Sequence, residues 1–218
     1  MSNGHFYAGK NAEYFRHARL EVMDLLPDRF NNIIDVGGSS GATLSAIKAR
    51  WPSVRTICLD THEASVGLAR ENGHEAFVCD IEKTIPDLFE TTDVVMFLDV
   101  LEHLADPWST LTKIVDQLPS GACVIVSLPN VRFWEASCRL FFWGDWKLRE
   151  SGVMDRTHLR FFTRRTGAEM LLNAGLNIQK VRARLPGGRR YNLLNTFSLG
   201  VVKDFLTEQY IFAAEKTR

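Results

Sequence analysis

Residues 32–41 read NIIDVGGSSG, an apolar run that closes on an acid and enters a turn of glycine and serine, with a helical pattern behind it over residues 42–50. Ile33, Ile34 and Val36 suit a strand buried on both faces, as in a parallel sheet. Gly37 and Gly41 let the backbone turn tightly beside a ligand, and the following helix presents its first N–H groups at the same place. The combination is a nucleotide-cofactor signature. Its bland alternative is a strand-to-helix turn that binds nothing.

The spacing narrows the ligand. A pyrophosphate loop reads G-x-G-x-x-G, whereas this turn carries Gly37, Gly38 and Gly41, with Asp35 two positions ahead of the first glycine. An acid at a strand end suits a cationic ligand better than a diphosphate. Downstream the chain alternates. A helix is predicted over 14–26, a strand over 55–59 ending at Asp60, a helix over 63–72 stopped by Gly73, and a short strand over 76–79 ending at Asp80. A strand over 94–98 ending at Asp99, a helix through Leu118 and a strand over 122–127 follow. Such alternation argues for a doubly wound, mostly parallel sheet, where ligands bind at the carboxyl ends of strands. Asp35, Asp60, Asp80 and Asp99 would then converge on one edge. Asp60 stands at the distance from the loop expected of a ribose-binding acid, although an acid there can also cap the next helix.

These residues carry a resemblance. The loop resembles the D-x-G-x-G-x-G turn of class I S-adenosylmethionine-dependent methyltransferases, with Ser39 in place of the family's middle glycine and Gly38 before it. If the turn needs positive φ there, either the register shifts or Ser39 bears strain. The run LEHLADP over 101–107 is similar to the L-E-H-x-x-D-P segment that follows the fourth strand in small-molecule members. The resemblance implies a seven-stranded Rossmann-like fold closed by an antiparallel hairpin that includes residues 209–214. It also implies S-adenosylmethionine as cofactor. Asp35, Gly37, Gly38, Ser39 and Gly41 would lie near its amino-acid moiety, with Asp60 and Thr61 at the ribose. Asp80 and Ile81 would take the adenine, and Leu98, Asp99 and His103 would line the site. Tyr14 and Arg19 would close over the cofactor's carboxylate. Glu102 and His103, at the start of a helix, read as structural or cofactor-facing.

The last third resembles a subgroup that carries a D-R-T-H-L-R-F-F-T run and is associated with surface-polysaccharide and other glycan pathways. Within it, residues 131–165 break the alternation where the fifth strand ends and bring Phe133, Trp134, Phe141, Phe142, Trp143 and Trp146. From 131 to 190 there are 13 Lys and Arg against 5 Asp and Glu, a net of +8 hidden inside a chain of zero net charge. An aromatic, basic flap over the cofactor suits a sugar or lipid-linked, anionic acceptor, since aromatic faces pack on sugar rings or prenyl chains and Arg contacts phosphate. A satellite core and a solvated basic face are the alternatives.

Methyl transfer to a hydroxyl asks for alignment, exclusion of water and a base. His158 is the candidate base, with Asp155 to orient its ring. Composition supports one globular domain spanning 1–218, with 45% hydrophobic and 24% charged residues. No apolar run of about eighteen residues and no leader-like start is present, so a cytoplasmic protein is expected, with peripheral membrane contact as the only membrane role. The charge is not arranged like a nucleic-acid tail. Cys58, Cys79, Cys123 and Cys138 read as reduced thiols, and no metal is expected. A methyltransferase for a quinone precursor or a carboxylate, a non-catalytic cofactor-binding regulator and a nicotinamide oxidoreductase are the alternatives, the last lacking a Tyr-x-x-x-Lys pattern.

Overall fold

The computed structural model describes residues 18–186 and 202–217. Seven strands form one sheet: β1 (Asn32–Val36), β2 (Arg55–Asp60), β3 (Glu75–Val78), β4 (Val94–Leu98), β5 (Cys123–Pro129), β6 (Leu176–Arg184) and β7 (Gln209–Lys216). Their order is β3-β2-β1-β4-β5-β7-β6, with β7 antiparallel to both its neighbours and every other pairing parallel. The chain turns from one side of the sheet to the other between β1 and β4. At such a point the strand-end loops splay apart and leave room for a ligand.

Side chains alternate across the sheet and build two cores. Ile34, Val36, Val95 and Phe97 face one, beneath α3 (Pro107–Gln117) and α5 (Arg164–Asn173). Ile33, Cys58, Val94 and Met96 face the other, beneath α1 (Ala42–Arg50) and α2 (Glu63–Glu71). Asp35 shares the face of Ile33, so a carboxylate points into the second core. The local signals explain the helix ends. Asp106 caps α3 by accepting from Ser109 N at 3.1 Å, with Pro107 at the first helical position. Thr163 and Thr166 cap α5 reciprocally.

Two expected helices are shorter and tighter than the pattern suggests. Within 14–26 the described part forms a 3₁₀ helix, Leu20–Leu25, that buries only Val22 and Leu25. Leu101–His103 is likewise a single 3₁₀ turn, and the true helix begins at Pro107. Proline has no N–H and disfavours helical backbone in the residue before it, so it starts the helix rather than continuing one. The segment 131–165 holds α4 (Trp134–Trp143), ended by Gly144 in the left-handed conformation, and an irregular stretch that returns to the sheet where Phe162 bridges Asn130. Among the described residues no helix is long and apolar enough to cross a membrane. The four cysteines are free thiols, Cys58 buried and the others half-buried.

Candidate active site at the carboxyl ends of the strands

The glycine turn is built by steric exclusion. Gly37 and Gly41 have φ of 71° and 75°, and Ser39 joins them at 51°, so the serine sits where most L residues are strained. The register has not shifted. Gly38 is required for another reason: a Cβ there would stand 2.9 Å from Asp35 Oδ2. A Cβ on Gly37 would meet Val100 Cγ2 at 2.5 Å. Gly41 is pressed from beneath by His74, whose ring bridges Thr56 Oγ1 at 2.8 Å and Ser45 Oγ at 2.9 Å. Local pattern gave no sign of His74, because its partners come from β2 and α1.

The acids gather on this edge. Asp60 holds the loop, accepting from Ser39 N at 2.9 Å and from His62 N at 2.8 Å. Each carboxylate oxygen has a second lone pair, which leaves acceptor capacity for hydroxyl donors. Thr61, beside it, is exposed. Asp35 is fully enclosed, and its Oδ1 has no hydrogen-bond partner among the described residues. Burial, with the nearby Asp60, pushes its carboxyl up to about 7. A buried acid with an unused oxygen next to a glycine cradle suits the cationic amino-acid end of S-adenosylmethionine. Asp80 lies past β3, accepting from Glu82 N at 3.2 Å and Lys83 Nζ at 2.5 Å, while Ile81 is buried in the first core.

At the end of β4, Leu98 is half-buried and Asp99 takes a φ of 60°. Asp99 receives Arg19 Nη1, Gln209 Nε2 and Ser127 Oγ, the last at 2.9 Å. Arg19 also reaches Glu21 at 2.6 Å and Gln209 Oε1 at 2.7 Å. The segment before β1 is thereby tied to β4, β5 and β7. Arg19 thus stands at the same sheet edge as Asp99, with its guanidinium taken up by Asp99, Glu21 and Gln209, and Tyr14 lies outside the described residues. Gln209 and Ser127 are additional members that come from strands whose sequences read only as core.

The 101–103 turn and residues 153–160 form one unit. Glu102 O accepts from Leu159 N at 2.8 Å and Arg160 N at 3.0 Å. His103 Nδ1 donates to Thr157 O at 3.0 Å, and His158 Nδ1 donates to Val153 O at 3.1 Å. The two imidazoles meet edge to face with centroids 4.9 Å apart. Asp155 Oδ1 accepts from Thr157 N and Thr157 Oγ1, at 2.8 and 2.7 Å, so it shapes the turn that carries His158. The Val153 carbonyl takes the Nδ1 side of the ring. Glu102 is 1% exposed, and neither carboxylate oxygen has a hydrogen-bond partner among the described residues. Burial first, then the charge of Asp99, raises its carboxyl well above the usual range.

Aromatics of the 131–165 segment divide. Phe133 is buried, whereas Phe141, Phe142 and Trp143 are 82%, 67% and 73% exposed. Between α4 and residues 147–154 lies a cavity of about 210 Å³, lined by Phe133, Arg139, Lys147, Arg149, Val153 and Met154 among others.

Known proteins place this architecture. The profile of a family described as a methyltransferase domain matches residues 7–181. Malonyl-[acyl-carrier protein] O-methyltransferase of Xylella fastidiosa is 29% identical over 114 residues, 50% of this chain and 39% of that protein. Trans-aconitate 2-methyltransferase of Rhodococcus jostii is 30% identical over 98 residues, 45% of this chain and 38% of that protein. The matched parts thus span about two fifths of these relatives' lengths. The solved structure of an S-adenosylmethionine-dependent methyltransferase from Thermotoga maritima superposes with a TM-score of 0.69 at 14% identity, covering 98% of this chain and 99% of that one, which is a likeness of fold. With a glycine turn and strand-end acids that S-adenosylmethionine would fit, the chain belongs to the methyltransferase domain family.

Proposed function

We propose that this methyltransferase acts on a hydroxyl oxygen of a small, anionic acceptor of the sugar or lipid-linked glycan type, held beneath the 131–165 segment as a flap. The observation that carries the reading is the cluster of Glu102, His103 and His158 beside the end of β4. A hydroxyl must lose its proton as it is methylated, whereas a carboxylate has none to lose. An enzyme for carboxylates has no need of two imidazoles and a buried acid at this place.

S-adenosylmethionine supplies an electrophilic methyl on a sulfonium. In the proposed site Asp35 faces the cofactor's amino-acid end, Asp60 accepts from the ribose, and Asp80 with Ile81 borders the adenine. Arg19 and Asp99 close the sheet edge next to the sulfonium, with Leu98 and His103 lining the way. As the methyl passes to the acceptor oxygen, the sulfonium sulfur keeps the electron pair of the broken bond. The acceptor's proton leaves at the histidine cluster, which Asp155 positions through Thr157. Arg139, Lys147 and Arg149 around the neighbouring cavity are matched by Glu135, Asp145 and Glu208, so the support for an anionic group is the net +8 of residues 131–190 and not the cavity lining. The exposed Phe141, Phe142 and Trp143 offer faces for sugar or prenyl carbon.

Methylation of a carboxylate is the second reading. It is favoured by the two relatives, whose names give malonyl-[acyl-carrier protein] and trans-aconitate as substrates, both of which are acids. One experiment separates the two. The protein is incubated with methyl-labelled S-adenosylmethionine and with panels of nucleotide sugars, polyprenyl-linked sugars and di- and tricarboxylates, and the product is treated with mild base. Label that resists base is an ether and supports the hydroxyl acceptor; label released as methanol is an ester and overturns it.

A further inference from the structure

The same three side chains also carry a set of metal-donor atoms. Glu102, His103 and His158 each offer one ligand atom, and these atoms lie within 4.8 Å of one another. We propose that they form a binding site for one divalent transition-metal ion at the acceptor end of the enzyme. The inference deepens the hydroxyl reading and rests on it for its role, since an ion there would bind the acceptor oxygen.

The hydrogen bonds behind the two imidazoles argue for it. Each imidazole gives its Nδ1–H to a backbone carbonyl, His103 to Thr157 and His158 to Val153, which places the ring lone pair on Nε2. This is how metal-ligating histidines are usually held, with tautomer and ring orientation set by a hydrogen bond on the far nitrogen. Glu102 is the third partner. An acid that is 1% exposed, with neither oxygen hydrogen-bonded among the described residues, is costly to bury charged, and a bound cation in place of its proton would relieve that cost. The ligands come from two segments remote in sequence, and both are fixed, because Glu102 O receives Leu159 N and Arg160 N.

The distances allow closure. Ligand atoms about 2.0–2.1 Å from a tetrahedral ion stand roughly 3.3 Å apart, so each has to move inward by less than about 1 Å. Side-chain rotation supplies that. Two nitrogens and one carboxylate select zinc, iron(II), manganese(II) or cobalt(II) over magnesium and calcium, which prefer oxygen alone. Three protein ligands leave coordination positions for water or for the acceptor's hydroxyl, and such binding lowers the pKa of the bound O–H. The proton then passes to solvent, and the oxygen takes the methyl.

The test reads the ion directly. The full chain is stripped with a chelator, dialysed and titrated with Co²⁺ by visible absorption, with binding of S-adenosylhomocysteine and the thermal unfolding midpoint as checks on folding. One Co²⁺ per chain with ligand-field bands is expected. The bands should be lost, or the affinity reduced about tenfold or more, in Glu102→Gln and in His103→Gln, and unchanged in His62→Ala. The His103→Gln variant alters a half-buried ring, and it decides the matter if Glu102→Gln fails to fold. Absence of stoichiometric binding, or binding that survives both substitutions, overturns the site. A chelated protein that binds no metal yet methylates a hydroxyl at full rate overturns the site while leaving the acceptor reading standing. Stoichiometric metal bound through these residues, with an ester as the methylated product, keeps the site and overturns the hydroxyl reading.

Discussion

The glycine turn and the 131–165 segment face the same edge of the sheet but are held by different forces. In the turn, backbone atoms lie so close to Val100, Asp35 and His74 that a single Cβ on Gly37, Gly38 or Gly41 would come within 3 Å of a side chain. In the segment, three ion pairs, Arg139–Asp145, Arg149–Glu135 and Arg156–Glu150, join side chains exposed by about two fifths or more. Pairs of that kind contribute little in water. The lesson is one of tolerance. The glycine turn is defined by packing that leaves no alternative, and the exposed side of the 131–165 segment by surface chemistry that can change at little cost to the fold.

The sharpest way to break this contrast is at Asp35. Because burial and Asp60 push its carboxyl up to about 7, the folded chain keeps a proton that the unfolded chain releases near pH 4. Its contribution to stability is complete below about pH 4 and is lost as the pH rises to about 7, a decline on the order of 4 kcal/mol. Asp35→Asn should flatten that decline in urea unfolding across pH 4 to 8. The cofactor's ammonium favours the ionised acid, so binding of S-adenosylmethionine to the natural protein at pH 6 should release a proton, measurable by calorimetry in buffers of different ionisation enthalpy. An unchanged pH profile in Asp35→Asn would show that the acid is not enclosed as described.

Gly37→Ala comes next. Left-handed backbone and the clash with Val100 should cost about 2–3 kcal/mol in denaturant unfolding, and adding Val100→Ala should restore the steric part. A loss below about 0.5 kcal/mol would place the turn in the same class as a surface site.

Arg19→Gln is intermediate, since its guanidinium is partly buried against Asp99 and Glu21. About 1–2 kcal/mol of stability should be lost. Coupling to Gln209→Ala in a double-mutant cycle should be non-additive, because both side chains meet Asp99.

The smallest effect belongs to the segment. Phe141→Ser and Trp143→Ser should change stability by less than about 0.5 kcal/mol, since neither ring is enclosed. The same variants should raise KM for an acceptor with sugar or prenyl carbon while leaving S-adenosylhomocysteine affinity unchanged. A large stability loss would mean that these rings belong to a core.

The sequence by itself determined the repeating strand and helix, the turn at 37–41, and the acids at or near the strand ends. Each is a local signal: apolar runs set strands, glycine permits left-handed backbone, and D-P marks the start of α3. Even the departure at Ser39 was legible, and the structure resolves it as a serine held in positive φ by the pull of Asp60 on its N–H. Tertiary structure decided the rest. Nothing in the sequence around Gln209, Ser127 or His74 sets them apart from core and surface neighbours, because their partners lie across the sheet. His158 was visible as an ionisable group, but the bond from its Nδ1 to the Val153 carbonyl was not, because it depends on how the 153–158 turn folds. Glu102 and His158 are brought together only by the 153–160 turn folding onto the end of β4, a contact between distant segments that leaves no periodic trace in sequence.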